Sequence, residues 1–165
     1  MEKHLYFVCP TDHLESVINN SFEQENYFCS SLGNSIRFYG STVAQINNII
    51  ATKNITEITF VLSDSNPIVM DALSDRDFSE LRGLRRFYNE MLRQKQRSKM
   101  LWQTNNWQVP ILSAYLNMKI TELQPKIRRW MMEPIKINGK LYYRKQQLFK
   151  ELHFDFLCGN NFSLN

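Results

Sequence analysis

Glycine and proline are scarce, five of each in 165 residues, which argues against a linker or a disordered arm. Cysteine is rarer still. Cys9, Cys29 and Cys158 are odd in number, widely scattered and without a CxxC pair, so reduced thiols are expected in place of a disulfide framework. The three histidines, His4, His13 and His153, show no metal-ligand spacing and read as ordinary surface or rim residues. No stretch approaches the ~20 apolar residues of a membrane helix. Met1-Glu2-Lys3-His4 runs directly into a strand pattern with no apolar leader, so a cytoplasmic protein without membrane association is expected. GxGxxG and GxxxxGK[ST] are missing, which leaves a nucleotide role without a motif, and GxSxG is missing too. No internal repeat is visible.

What is present fits one α/β domain over 1–165, long enough for a real core and rich in aromatics. Leu5 to Cys9 and Ile55 to Leu62 are short apolar runs, as expected for strands buried on both faces. Tyr27 to Leu32 fits another strand, closed by the turn residues Gly33-Asn34. Between them come helix signals. Asp12 stands three residues before Glu15, a capping-box spacing. Ser41 stands as an N-cap ahead of Val43, Ile46, Ile49 and Ile50. Asn66 can cap a helix with Pro67 at its first position. Asp77 and Glu80 form another capping box, opening a long helix through Leu81, Leu84, Tyr88, Met91 and Leu92. Leu112, Leu116, Ile120, Leu123 and Ile127 mark a further helix, bent or interrupted near Pro125. Ile135 to Tyr143 reads as a hairpin around Asn138-Gly139 or as a late strand. Strands alternating with helices imply a mostly parallel sheet, with antiparallel material late in the chain.

Two strands end in polar loops, Cys9-Pro10-Thr11-Asp12-His13 and Ser63-Asp64-Ser65-Asn66-Pro67, and strand ends of this kind border the ligand crevice of open parallel sheets. Their order resembles the β-class carbonic anhydrases, whose first strand carries C-x-D-x-R and whose third ends in H-x-x-C, with a glycine-asparagine turn and a serine-led helix between. Cys9, Gly33-Asn34, Ser41 and the Ser63–Asn66 loop fall in that order, and Ile137 to Tyr142 looks like that family's final strand. The match would cover about Leu5 to Tyr143, without the family's helical N-terminal arm.

The resemblance implies a zinc site, and most of its letters differ. Cys9 matches the first zinc-ligand cysteine. Thr11 stands for the catalytic aspartate, with Asp12 adjacent, and His13 for that aspartate's arginine partner. Ser63 replaces the ligand histidine and Asn66 the second ligand cysteine. A catalytic zinc takes three protein ligands and an open position for water, and a hydroxyl and a neutral amide are poor substitutes for imidazole and thiolate. Hydration of carbon dioxide is therefore not expected, and neither a bound metal nor a cofactor is.

The resulting expectation is a β-carbonic-anhydrase-like sheet in a non-catalytic binding or regulatory protein, a homodimer by family resemblance. Its vestigial crevice would involve Cys9, Thr11, Asp12, Gly33, Asn34, Ser63, Asp64 and Asn66, and could hold a small anion. The plainer alternatives are a buried small Cys9, helix caps at Asp12 and Asn66, and a solvated Asp64. A second reading is an enzyme of different chemistry, with Cys9 as nucleophile or Asp12 and Asp64 around a metal.

A third reading rests on charge. The net charge is +4, yet Phe78 to Trp102 alone holds seven basic residues against two acidic ones. On one continuous helix Arg82, Arg86, Arg93 and Arg97 would share an arc of about 60°. That face could meet nucleic-acid phosphates or an acidic protein partner, with Trp102 and Trp107 stacking, or be a solvated helix face. Trp107 and Trp130 could instead belong to a subunit interface.

Overall fold

A computed structural model describes residues 2–101, 108–128 and 135–152, without the side chains of 98–101 and 128. Among the described residues, five strands form one sheet in the order β2-β1-β3-β4-β5. They are β1 (Lys3–Val8), β2 (Glu25–Ser30), β3 (Glu57–Ser63), β4 (Lys136–Tyr143) and β5 (Leu148–Glu151). The first four are parallel, and β5 folds back antiparallel on β4. The mostly parallel α/β sheet with a late antiparallel strand is therefore present.

Alternation along the central strands explains its two faces. Leu5 and Phe7 of β1 join Ile58, Phe60 and Leu62 of β3 on one face. That face is covered by α2 (Gly40–Lys53), α3 (Pro67–Leu73), α4 (Arg85–Leu101) and α5 (Gln108–Arg128). Tyr6, Val8 and Val61 point the other way, into a smaller cluster with Leu14 and with Ile18 of α1 (Glu15–Ser21). Phe7 and Phe60, paired across β1 and β3, stack with ring centroids 4.7 Å apart.

Several local expectations change. Asp12 caps no helix: it lies in a 3-10 turn (Pro10–Asp12), and the N-cap position of α1 is held by Leu14, which makes no side-chain cap. Ser41 lies inside α2, which Tyr39 precedes and Asn54 closes in the left-handed conformation at φ 55°, one that asparagine tolerates. The Asp77–Glu80 box opens no helix either, because the Asp71 carboxylate accepts the backbone N–H groups of Asp77 and Phe78 and draws that stretch into turns. Gly83 follows at φ 92°, and α4 starts only at Arg85. Leu81 is accordingly exposed. Helix α5 runs through Pro125 without interruption, with Leu112, Leu116, Ile120, Leu123 and Ile127 all buried.

Ile135 to Tyr143 supplies β4, and the reversal falls at 144–147, beyond Asn138-Gly139. Gly139 is needed for space: a Cβ there would overlap Leu152 and lie 3.2 Å from Ile120 Cδ1. His4 is buried within β1, hydrogen-bonded to Gln24 and 4.0 Å from Glu57, so it is no rim residue. His153, Cys158, Trp102, Trp107 and Trp130 lie outside the described residues.

Candidate functional site

Parallel pairing of β1 with β3 carries the two polar loops to the same end of the sheet, and they meet. Ser63 closes β3 and donates twice to the Asp12 carboxylate, from its backbone N–H at 2.9 Å and from its hydroxyl at 2.5 Å. Arg144, in the turn after β4, donates to the Asp12 carbonyl at 2.6 Å and to its carboxylate at 3.2 Å. The Arg144 backbone N–H also reaches the Asp64 carboxylate at 3.3 Å. Three loops are thus tied through one fully buried acid, Asp12.

On the other side of β1, the turn after β2 closes in. Gly33 adopts φ 58° and its N–H donates to the Cys9 thiol at 3.1 Å, while Thr11 Oγ1 lies 3.0 Å from the same sulfur. Asn34 Nδ2 donates to the carbonyls of Phe7 at 3.3 Å and Val61 at 2.9 Å, bridging the two central strands. The Tyr115 hydroxyl donates to the Asn34 carbonyl at 3.0 Å. Above Gly33 stands Phe87 of α4, so close that a Cβ on Gly33 would lie 2.6 Å from its ring. Phe87 and Tyr115 meet edge to face at 5.4 Å. Together they cap the crevice with aromatic carbon.

The site residues expected from sequence therefore do gather, though in roles the sequence did not assign. Cys9, Asp12, Asn34, Ser63 and Asn66 are fully buried, Gly33 is buried, and Thr11 and Asp64 are half-buried. Asn66 caps α3, its side-chain oxygen accepting the Val69 N–H at 3.0 Å. His13 is exposed and does not partner Asp12; Arg144 does, from 132 residues on. No local signal marks that pairing. Phe87 was also missed, although its place between Leu84 and Met91 fits the buried period of α4.

These donors do not fit a zinc ion. Cys9 supplies one sulfur. The Ser63 hydroxyl, turned toward Asp12 as a donor, is neutral and a poor substitute for imidazole. With the Asn66 oxygen on Val69, its buried Nδ2 has no protein partner, and an amide N–H2 offers a metal no lone pair. Among the described residues no group of three or more His, Cys, Asp or Glu side chains could hold a metal.

No family model matches the sequence, and no curated protein does. Solved structures do match. A tetrameric β-carbonic anhydrase from Sordaria macrospora superposes with a TM-score of 0.71 at 16% identity, over 92% of this chain and 80% of that one. CafD of Aspergillus fumigatus gives 0.72 at 13% identity, over 93% and 90%. The Coccomyxa enzyme, in complex with acetazolamide, gives 0.71 at 12% identity, over 92% and 72%. This is the β-carbonic anhydrase fold. At such identities the likeness concerns the backbone alone, and the β-carbonic anhydrase frame here surrounds a different set of side chains.

The basic face also changes. Arg86, Arg93 and Arg97 lie on α4, but Arg82 precedes Gly83 and is not part of the helix. Arg37, from the segment between the Gly33-Asn34 turn and α2, approaches the same face of α4 and lines a cleft with Arg86 and Arg93. No described helix is long and apolar enough to cross a membrane.

Proposed function

We propose that this chain is a non-catalytic protein on a β-carbonic anhydrase frame, acting by binding or regulation, with its former metal crevice rebuilt as an internal polar lock. One observation carries the reading: where a zinc enzyme keeps three open ligands, this chain has Ser63 bound to Asp12 and Asn66 bound to its own helix. The lock joins the ends of β1, β3 and β4 and leaves Cys9 as the single soft ligand where a catalytic zinc would need three protein ligands.

The chemistry of the neighbouring residues supports the same reading. Cys9 is fully buried and packed against Gly33 and Thr11, which suits a structural thiol better than a nucleophile. Asp12 accepts from the Arg144 guanidinium and Asp64 from the Arg144 backbone N–H, so a metal shared by the two acids would have to displace the guanidinium from Asp12. Free thiols at Cys9 and Cys29 suit a reducing, cytoplasmic setting. A homodimer remains part of the proposal, in line with the tetrameric assembly of the Sordaria macrospora structure.

Stopped-flow hydration of carbon dioxide by purified protein, with zinc added during expression, tests the reading. The expected rate equals that of buffer, before and after Ser63→Ala. A zinc-dependent rate above buffer overturns it.

A further inference from the structure

Outside the crevice, α4 presents a second polar concavity. A cleft of about 320 Å³ is lined by Arg37, Arg85, Arg86, Asn89, Glu90 and Arg93. Four guanidinium groups face one carboxylate, and that carboxylate is already engaged by Gln94 at 2.8 Å and by Arg93 at 3.7 Å. Among the described residues, Arg85 and Arg86 have no hydrogen-bond or ion-pair partner. Arg37 leans on Tyr39, whose hydroxyl accepts from it at 2.9 Å.

A second, narrower pocket of about 30 Å³ shares Arg37, Arg86 and Glu90 and is also lined by Lys119 and Glu122 of α5. Lys119 is 5% exposed and donates to the Ile36 carbonyl at 2.5 Å. Burial holds its ammonium below the ordinary lysine range, with Glu122 opposing and Arg86 adding to the effect. Cations crowded around a concave opening repel one another, and a cleft in which four positive charges outweigh one negative charge concentrates anions.

We propose that this cleft binds a small, multiply charged phosphate compound, the guanidinium groups of Arg37, Arg85, Arg86 and Arg93 gripping its phosphate oxygens. Planar guanidinium donors match phosphate oxygens in pairs. The volume sits at the lower end of small-molecule sites, roughly 300–1,000 Å³, and the cationic wall comes from two separate segments folded around a hollow. A nucleic-acid strand would call for an extended track, and the loss of Arg82 from the helix shortens the one that α4 could offer. The proposal stands whether or not the crevice is inert, since none of the six residues lining the main cleft belongs to the crevice.

Calorimetric titration of the full chain with inorganic tripolyphosphate tests it. The variants are Arg37→Ala, Arg86→Ala and, outside the cleft, Arg97→Ala, each checked for an unchanged melting transition. Saturable one-to-one binding is expected, weakening as salt rises. It should drop about tenfold on losing either Arg37 or Arg86 and change by about twofold or less with Arg97→Ala. Arg37 and Arg86 lie on different segments, so misfolding of one variant leaves the other to decide. No saturation, or an equal loss with Arg97→Ala, overturns the site. A single-stranded oligonucleotide that binds more tightly than tripolyphosphate and depends on Arg97 would assign the face to nucleic acid and overturn it as well.

Discussion

The crevice at the strand ends and the cleft over α4 are built by neighbouring residues and handle charge in opposite ways. Gly33 and Asn34 belong to the crevice; Arg37, just beyond them, belongs to the cleft. Phe87 seals the first and Arg86 lines the second. In the crevice, the Asp12 carboxylate is fully buried and met by Ser63 and Arg144, while aromatic carbon covers the Gly33-Asn34 turn. In the cleft, the charges face a hollow with few opposing groups. Polar groups that satisfy one another stabilise a fold, whereas polar groups left facing a hollow are available to a ligand. On the proposed reading the first region serves stability, although Asn34 Oδ1 and Asn66 Nδ2 there lack a protein partner, and the second serves recognition.

If that division is right, substitutions in the crevice should cost stability and leave tripolyphosphate binding intact. The largest loss is expected for Phe87→Ala, about 3–5 kcal/mol by urea denaturation, for removing a buried ring. Asp12→Ala should follow at about 3 kcal/mol, because it leaves the Ser63 N–H and hydroxyl buried without an acceptor. Gly33→Ala should cost about 2–3 kcal/mol, combining left-handed strain with the overlap on Phe87. Its cost should shrink in a Phe87→Leu background, and full additivity in that double-mutant cycle would deny the contact. Loss of tripolyphosphate binding in a folded Gly33→Ala protein would blur the division itself.

A pH scan sharpens the comparison with no change in the cleft arginines. Burial pushes the Tyr6 phenol up to about 12, with the Gln24 hydrogen bond opposing and Glu57 adding. A folded pKa above the unfolded one gives stability that is complete below about pH 10 and lost as pH rises toward the folded value. The loss is about 1.4 kcal/mol per pH unit for such a group. Burial raises Tyr115, in the crevice roof, in the same direction. Denaturation between pH 9 and 12 should show the fall, and Tyr6→Phe should make it shallower without removing it, since Tyr115 contributes as well. The smallest effect belongs to the cleft: Arg85→Ala should change stability by about 0.5 kcal/mol or less.

Legibility from sequence followed the range of the interactions. The apolar runs of β1 and β3 and the Asn66-Pro67 start of α3 are local signals, and they placed the sheet and one cap correctly. The order of polar loops was enough to point to the carbonic anhydrase frame. The Asp12 and Asp77 boxes misled, because a carboxylate can take a tertiary partner or turn its own loop in place of capping a helix. Arg144 and Arg37 were invisible as partners, since each meets its site through long-range contacts that no spacing rule encodes. Gly139 carried a turn signal in its Asn-Gly pair but serves a close approach inside a strand.

The central claim is that the strand-end crevice is a lock and not a metal site. Elemental analysis of protein purified without chelator from zinc-supplemented culture tests it directly. Zinc far below one ion per chain is expected, unchanged by Cys9→Ser. Stoichiometric zinc that disappears with Cys9→Ser would contradict it.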